Sequence, residues 1–323
     1  MQPFKFSSAQ SVEEAVKSGG RFLAGGTALL DLMKLHVETP SLIVDVSELP
    51  LKTIDDRGSS VWIGSLVTNA DLAASAVIKN QFPVLSQALL AGASPQLRNQ
   101  ATLGGNILQR TRCAYFRDLA SACNKREPNS GCSAIGGVSR MHAILGVSDS
   151  CIAANPSDMC VALSCLDAVV HVRSSAGADR TIAFSDFHRE PGRTPEIETV
   201  LTAGDFIRGI ELKKEERVSK QAYLKVRDRA SYAFALTSAA VRLELREGKI
   251  ASARVSLGGV GTKPWRTAAV EAKLLGHPLT LSVLQAAAAE ATAGAKATRE
   301  NKFKITLIQK TIVRALEQAG GLV

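Results

Sequence analysis

Aromatic residues are scarce, at 5% of a 323-residue chain. The 39 lysines and arginines are interspersed with 30 acids and form no stripe with aromatics between them. The net charge of +9 therefore does not read as a nucleic-acid surface. A solvated basic surface, or a face for an acidic partner, is expected instead. No run of about 18 apolar residues exists, so no membrane span is expected. The N-terminus, Met1-Gln2-Pro3-Phe4-Lys5-Phe6, lacks the basic and apolar regions of a signal peptide. By itself the chain reads as cytoplasmic; a periplasmic location requires co-export with a signal-bearing partner. No low-complexity tract or fixed-period repeat occurs. Neither G-x-G-x-x-G nor a Walker A sequence is found, which argues against a nicotinamide-type Rossmann site.

What is present is a core-forming chain, 46% hydrophobic and long enough for about two domains. Periodicity predicts a short helix over 12–17, a strand at Arg21–Ala24, a helix bearing Leu29, Leu30 and Met33, and a strand at Leu42–Val46. These make a βαβ unit. A strand begins at Val61, Asn69-Ala70-Asp71 is placed to cap the next helix, and 84–91 reads as an apolar helix. Periodicity is lost over 108–153, which reads as an insertion too long for an ordinary loop. Asn155 or Ser157 is expected to cap a helix reaching about Asp167, ahead of a strand at Val169–Val172. Residues 188–204 form a loop. Strands follow at Ile207–Leu212 and Tyr223–Val226, then a hairpin of Phe234–Leu245 and Ile250–Leu257 about Arg246-Glu247-Gly248-Lys249. Helices near 266–275, 281–293 and 303–318 end the chain. The class is α+β.

Two glycine turns carry the first chemical signal. Leu23-Ala24-Gly25-Gly26-Thr27-Ala28-Leu29 joins a strand to a helix N-terminus, where bare backbone amides can meet an anion. Ala101-Thr102-Leu103-Gly104-Gly105-Asn106 offers a second turn of this kind. Each could equally be a tight turn without a ligand.

Four of the six cysteines, Cys113, Cys123, Cys132 and Cys151, lie within 39 residues of the insertion, spaced by 10, 9 and 19. This is neither a ferredoxin run nor a C-x-x-C zinc knuckle. Four thiolates suit a [4Fe–4S] cluster, but also a structural zinc or two disulfides, and spacing leaves all three open. Arg112, Arg117, Lys125 and Arg126 are placed to offset the charge of a thiolate-bound cluster. Cys160 and Cys165 sit in an apolar helical run and read as buried core thiols.

Taken in order, Ala24-Gly25-Gly26-Thr27, Ala101–Asn106 and Pro156-Ser157-Asp158 resemble the FAD-binding subunits of the xanthine dehydrogenase family of molybdenum hydroxylases. Thr111-Arg112-Cys113-Ala114-Tyr115-Phe116 and Cys123-Asn124-Lys125-Arg126 narrow the likeness to members with an inserted [4Fe–4S] cluster. These are the 4-hydroxybenzoyl-CoA reductase β subunit type and, more closely, flavin subunits of bacterial periplasmic aldehyde oxidoreductases. The likeness extends to Lys225–Phe234, Gly258-Gly259-Val260 and Lys263-Pro264-Trp265-Arg266.

The resemblance implies a two-part flavin fold of the PCMH or vanillyl-alcohol oxidase type. An FAD-binding domain is expected over 1–214, with subdomains 1–55 and 56–214 and the iron–sulfur insertion at about 108–153; a smaller sheet-plus-helices domain is expected over 215–323. It implies that Leu23 to Leu29 cradle the FAD pyrophosphate, with Leu30 and Ile207 also among the cofactor contacts. Thr102, Gly105 and Asn106 make the second phosphate and ribityl contact. Asp158 bonds the ribityl or adenosine side, and Lys225 reaches the flavin edge. Cys113, Cys123, Cys132 and Cys151 ligate the cluster. The implied role is electron transfer, from [2Fe–2S] centres of one partner subunit, with aldehyde hydroxylation at the molybdenum cofactor of another, towards an external, ferredoxin-like acceptor. A rival is a self-contained flavin oxidoreductase, but it needs a catalytic base, and His36, His142, His171, His188 and His277 are scattered without evident partners. Lys213-Lys214-Glu215-Glu216-Arg217 reads as a patch for partner subunits.

Overall fold

The structure is a computed structural model that describes residues 1–216 and 219–323. Three sheets organise it. In the first, β1 (Lys5–Ser8), β2 (Arg21–Leu23) and β3 (Leu42–Asp45) run parallel in the order β1-β3-β2. The helix Leu29–Lys34 crosses from β2 to β3, making the expected βαβ unit. The second sheet is antiparallel: β4 (Ile54–Asp56), β5 (Ser60–Gly64), β6 (Val169–Arg173), β7 (Asp179–Ala183) and β8 (Phe206–Lys213), in the order β4-β5-β8-β6-β7. The third, also antiparallel, has β9 (Lys220–Val226), β10 (Thr237–Arg246), β11 (Lys249–Gly258) and β12 (Trp265–Arg266), in the order β12-β11-β10-β9. Positive φ at Glu247 (50°) and Gly248 (75°) turns β10 tightly into β11.

Each sheet lies on its own core, and that of the second sheet also takes in Tyr223 and Ala240 of the third. The helices Pro83–Ala91 and Asp158–Cys165 share one core with the second sheet through Leu85, Leu89, Met159 and Leu163, and Pro83–Ala91 also packs against β9. The third sheet is covered by Ala268–Leu274, Leu281–Ala289 and Phe303–Gly320. Helix Asp158–Cys165 also packs against β10 and β11, which explains why it is buried all round and lacks an amphipathic pattern.

Some boundaries differ from the sequence expectation. Thr68, not Asn69, caps Asn69–Ala74, because its hydroxyl accepts from the Asp71 amide at 3.0 Å. β10 begins at Thr237, so Phe234 lies in the loop before it. β1 escapes sequence reading because all four of its residues are exposed and show no alternation. In the expected partner patch, Lys214 pairs with Asp56 and Glu215 with Arg242; Arg217 lies outside the described residues.

Candidate functional site

The first glycine turn is shaped by close approach. A Cβ on Gly25 would stand 1.7 Å from the Gln100 carbonyl oxygen, and Gly26 has φ +70°. The turn is thereby pressed against the residues that open the second one. Between the two turns lies a cleft of about 500 Å³. Leu23 through Leu29, Ser65, Thr102, Gly105 and Ile207 all line it. No backbone carbonyl accepts from the amides of Gly25, Gly26, Thr27 or Ala28 among the described residues. These amides, at a strand-to-helix turn, are donors available to a phosphate.

The second turn differs. Its amides are used in its own frame: Leu103 donates to Val67, Gly104 to Ser65 at 2.8 Å, and Gly105 to the Thr102 hydroxyl at 3.3 Å. Asn106 does not line the cleft. Its Oδ1 accepts from the Ser157 hydroxyl at 2.8 Å, and Ser157 caps the helix that begins at Asp158. Leu30 lies off the cleft too, its side chain packed against Gly26.

Asp158 is held from the other domain. The Tyr223 hydroxyl donates to its Oδ1 at 2.5 Å, and Lys225 Nζ to its Oδ2 at 2.8 Å. Lys225 and Asp158 are 4% and 10% exposed, so the pair is buried. Burial, then the adjacent Asp158 carboxylate, pushes the Tyr223 phenol well above its usual pKa, keeping it a donor. Lys225 also donates to the Ala91 carbonyl at 3.1 Å. Asp158 lines a second cavity of about 230 Å³ with Arg112, Cys113, His142, Met141 and Phe234. Lys225 does not line it; the ion pair holds it behind Asp158.

The insertion is fastened to the first cleft by charge. Arg112 and Arg117 both bind Asp31, on the helix after the first glycine turn. Arg110 bridges Glu38 at 2.9 Å and Glu198 at 3.2 Å, and Lys125 reaches Glu198 at 2.7 Å. Burial alone would raise the Glu198 carboxyl; Lys125 and Arg110 pull it below its ordinary value. The four cations expected to neutralise a cluster are thus largely committed, three to carboxylates and Arg126 to the carbonyls of Tyr115, Phe116 and Ser121. Sequence could not reveal this, since Asp31 and Glu198 lie far off in the chain.

The four insertion cysteines share one neighbourhood. Cys123 and Cys132 face each other across an antiparallel bridge. Burial pushes the Cys113 thiol up to about 11, with Cys123 and Cys151 adding to the shift. Burial also raises Cys151, with Lys125 opposing and Cys132 and Cys123 adding. His142 Nε2 lies 3.1 Å from Cys113 Sγ. All six cysteines are free thiols. Among the described residues, no three His, Cys, Asp or Glu side chains converge tightly enough to hold a metal ion. Cys160 and Cys165 are fully buried, and burial pushes both thiols to about 12.

The histidines are not all partnerless. His142 meets Cys113, His171 meets Glu211 at 3.2 Å, and buried His188 meets the Ile107 carbonyl. Ser65 and Tyr223 were not legible as site residues. Tyr223 carried a faint signal, since it precedes Lys225 by two on one strand and shares its face; Ser65 carried none.

A phosphate-ready cleft in an α+β domain, backed by a helix-covered antiparallel domain, defines a two-domain flavin-binding fold. Residues 1–213 match the family described as the FAD binding domain in molybdopterin dehydrogenase, and residues 222–319 match the CO dehydrogenase flavoprotein C-terminal domain. The chain belongs to this family: it is an FAD-binding subunit of the molybdenum hydroxylase type, as its motifs implied. It is 48% identical over 99% of both chains to the aldehyde oxidoreductase FAD-binding subunit PaoB of Escherichia coli (strain K12). The glyceraldehyde dehydrogenase medium chain of Sulfolobus acidocaldarius is 26% identical, over 85% of this chain and 82% of that one. Among solved structures, carbon monoxide dehydrogenase from Hydrogenophaga pseudoflava superimposes with a TM-score of 0.77 at 24% identity, covering 99% and 98% of the two chains. That likeness shows the fold.

Proposed function

We propose that this chain is the FAD- and [4Fe–4S]-binding electron-transfer subunit of a heteromeric molybdenum-containing aldehyde oxidoreductase. The observation that carries it is the 48% identity, end to end, with an aldehyde oxidoreductase FAD subunit. In this reading aldehyde is oxidised at a molybdenum cofactor on one partner, [2Fe–2S] centres sit on another, and an external acceptor of the ferredoxin kind is served. Assembly with a signal-bearing partner would carry the complex to the periplasm.

FAD, when bound, supplies the conversion between one- and two-electron transfer. The chain's own residues bind and orient it. The free amides of Gly25 to Ala28 would donate to phosphate oxygens, with Thr102, Gly104 and Gly105 on the facing wall. Asp158, fixed by Tyr223 and Lys225, presents a rigid carboxylate to the second cavity. Lys225 keeps a positive charge behind that carboxylate.

Cys113, Cys123, Cys132 and Cys151 would hold the cluster, which would supply a one-electron port. Four neighbouring thiols are its donor set. A cluster spreads its thiolates further apart than a single ion does. The imidazole on Cys113 adds a polar contact to that sulfur.

The test is a visible spectrum with metal analysis of the purified chain. Flavin absorbance with about four iron and about four sulfide per chain is expected. Cys113→Ser should lose iron and keep FAD. Zinc without flavin, or aldehyde oxidation by the isolated chain, overturns the proposal.

A further inference from the structure

Two buried polar atoms on the wall of the first cleft have no partner among the described residues, and the one able to donate is Ser65 Oγ. Ser65 follows β5, is 3% exposed, and lines the cleft between the two glycine turns. Its backbone is locked: its amide donates to the Arg208 carbonyl at 3.0 Å, and its carbonyl accepts from Gly104 at 2.8 Å. Its side chain abuts the second turn, since a Cβ on Gly104 would lie 3.2 Å from Ser65 Cβ. Its Oγ, however, is buried without any hydrogen-bond partner among the described residues. A hydroxyl left in this way costs stability, and such a group in a native fold calls for an explanation.

The surroundings say what it meets. The first turn presents unspent amides to the cleft, and the second has spent those of Leu103, Gly104 and Gly105. A phosphate lying between them therefore meets fewer backbone donors on the second side, where a side-chain hydroxyl adds to them. Of the two arginines on the cleft wall, Arg110 is taken by Glu38 and Glu198, and Arg21 leans towards Glu38 at 3.7 Å. Another buried unpartnered atom on the cleft wall, Glu196 Oε2, is of the wrong sign for a phosphate.

We infer that Ser65 Oγ is a hydrogen-bond donor to the FAD diphosphate, opposing the amides of the first glycine turn across the cleft. The inference rests on FAD occupying this cleft. No covalent step is involved; the residue binds and positions.

The experiment uses the full chain, stripped of FAD and titrated with it by flavin fluorescence, with thermal melts of the FAD-free protein. Ser65→Ala should weaken FAD by about tenfold or more, the size of one hydrogen bond to a charged group. The FAD-free Ser65→Ala chain should melt at or above the wild type, because an unsatisfied buried hydroxyl has been removed. That opposition of signs separates a ligand contact from a structural one. Ser65→Cys, nearly isosteric but a poor donor, should weaken FAD in the same direction. Unchanged FAD affinity in both variants overturns the inference, and would mean that a water satisfies the hydroxyl. A lower melting temperature of FAD-free Ser65→Ala alongside weaker binding also overturns it. Failure of the wild-type chain to bind FAD would instead sink the cofactor assignment on which it rests.

Discussion

Lys304 offers a sharp test of the physical account. It is 0% exposed, at the start of the helix Phe303–Gly320. Its Nζ donates to the carbonyls of Gly259 at 2.7 Å and His142 at 3.0 Å. Burial, and then Arg140, lower its pKa from 10.5 to about 7. A neutral amine still has two N–H donors, enough for the two carbonyls. Between about pH 7 and 10.5 the unfolded chain holds a proton that the folded chain has released. Stability therefore rises with pH across that window. Each pH unit contributes at most about 1.4 kcal/mol, so raising the pH from 7 to 10 adds about 4 kcal/mol through this group. Lys304→Met removes the slope and leaves the Gly259 carbonyl without its donor, at a cost of about 1–3 kcal/mol. Asn301 Nδ2 still reaches the His142 carbonyl at 3.3 Å. The variant should accordingly be the less stable protein near pH 10 and the more stable one near pH 6. Urea unfolding of both chains across this range measures the difference, and groups common to both cancel. A stability gap that stays constant with pH would mean that Lys304 does not titrate in this window when folded.

Two substitutions test the cofactor site itself. Gly25→Ala places a methyl 1.7 Å from the Gln100 carbonyl oxygen; the turns must separate, and the purified chain should lack flavin absorbance. Asp158→Asn leaves Lys225, 4% exposed, without its counter-charge. A loss of about 3–5 kcal/mol is expected in urea melts at neutral pH, and Lys225→Met in the same background should recover part of it.

Much of the fold was legible because it is locally encoded. The spans Val12–Lys17 and Leu29–Lys34 follow from apolar spacing, and the β10–β11 hairpin from Glu247-Gly248. The family emerged from short motifs whose glycines are demanded by geometry, as the Gln100 oxygen against Gly25 makes plain. β1, β4 and β7 were missed because exposed or short strands acquire their pairing from a neighbour and show no period of their own.

The chain's sequence alone determined its class, the position of the two glycine turns and the clustering of four cysteines, since each depends on residues close in the chain. Only the tertiary structure decided which groups are spent and which are free. It committed Arg112 and Arg117 to Asp31, tied Lys225 to Asp158 across two domains, and turned Asn106 away from the cleft to the cap of the next helix. It also left the buried Ser65 hydroxyl without a partner among the described residues. Hydrogen-bond and charge partnership are settled by distance in space, and residues far apart in sequence leave no pattern from which that distance can be read.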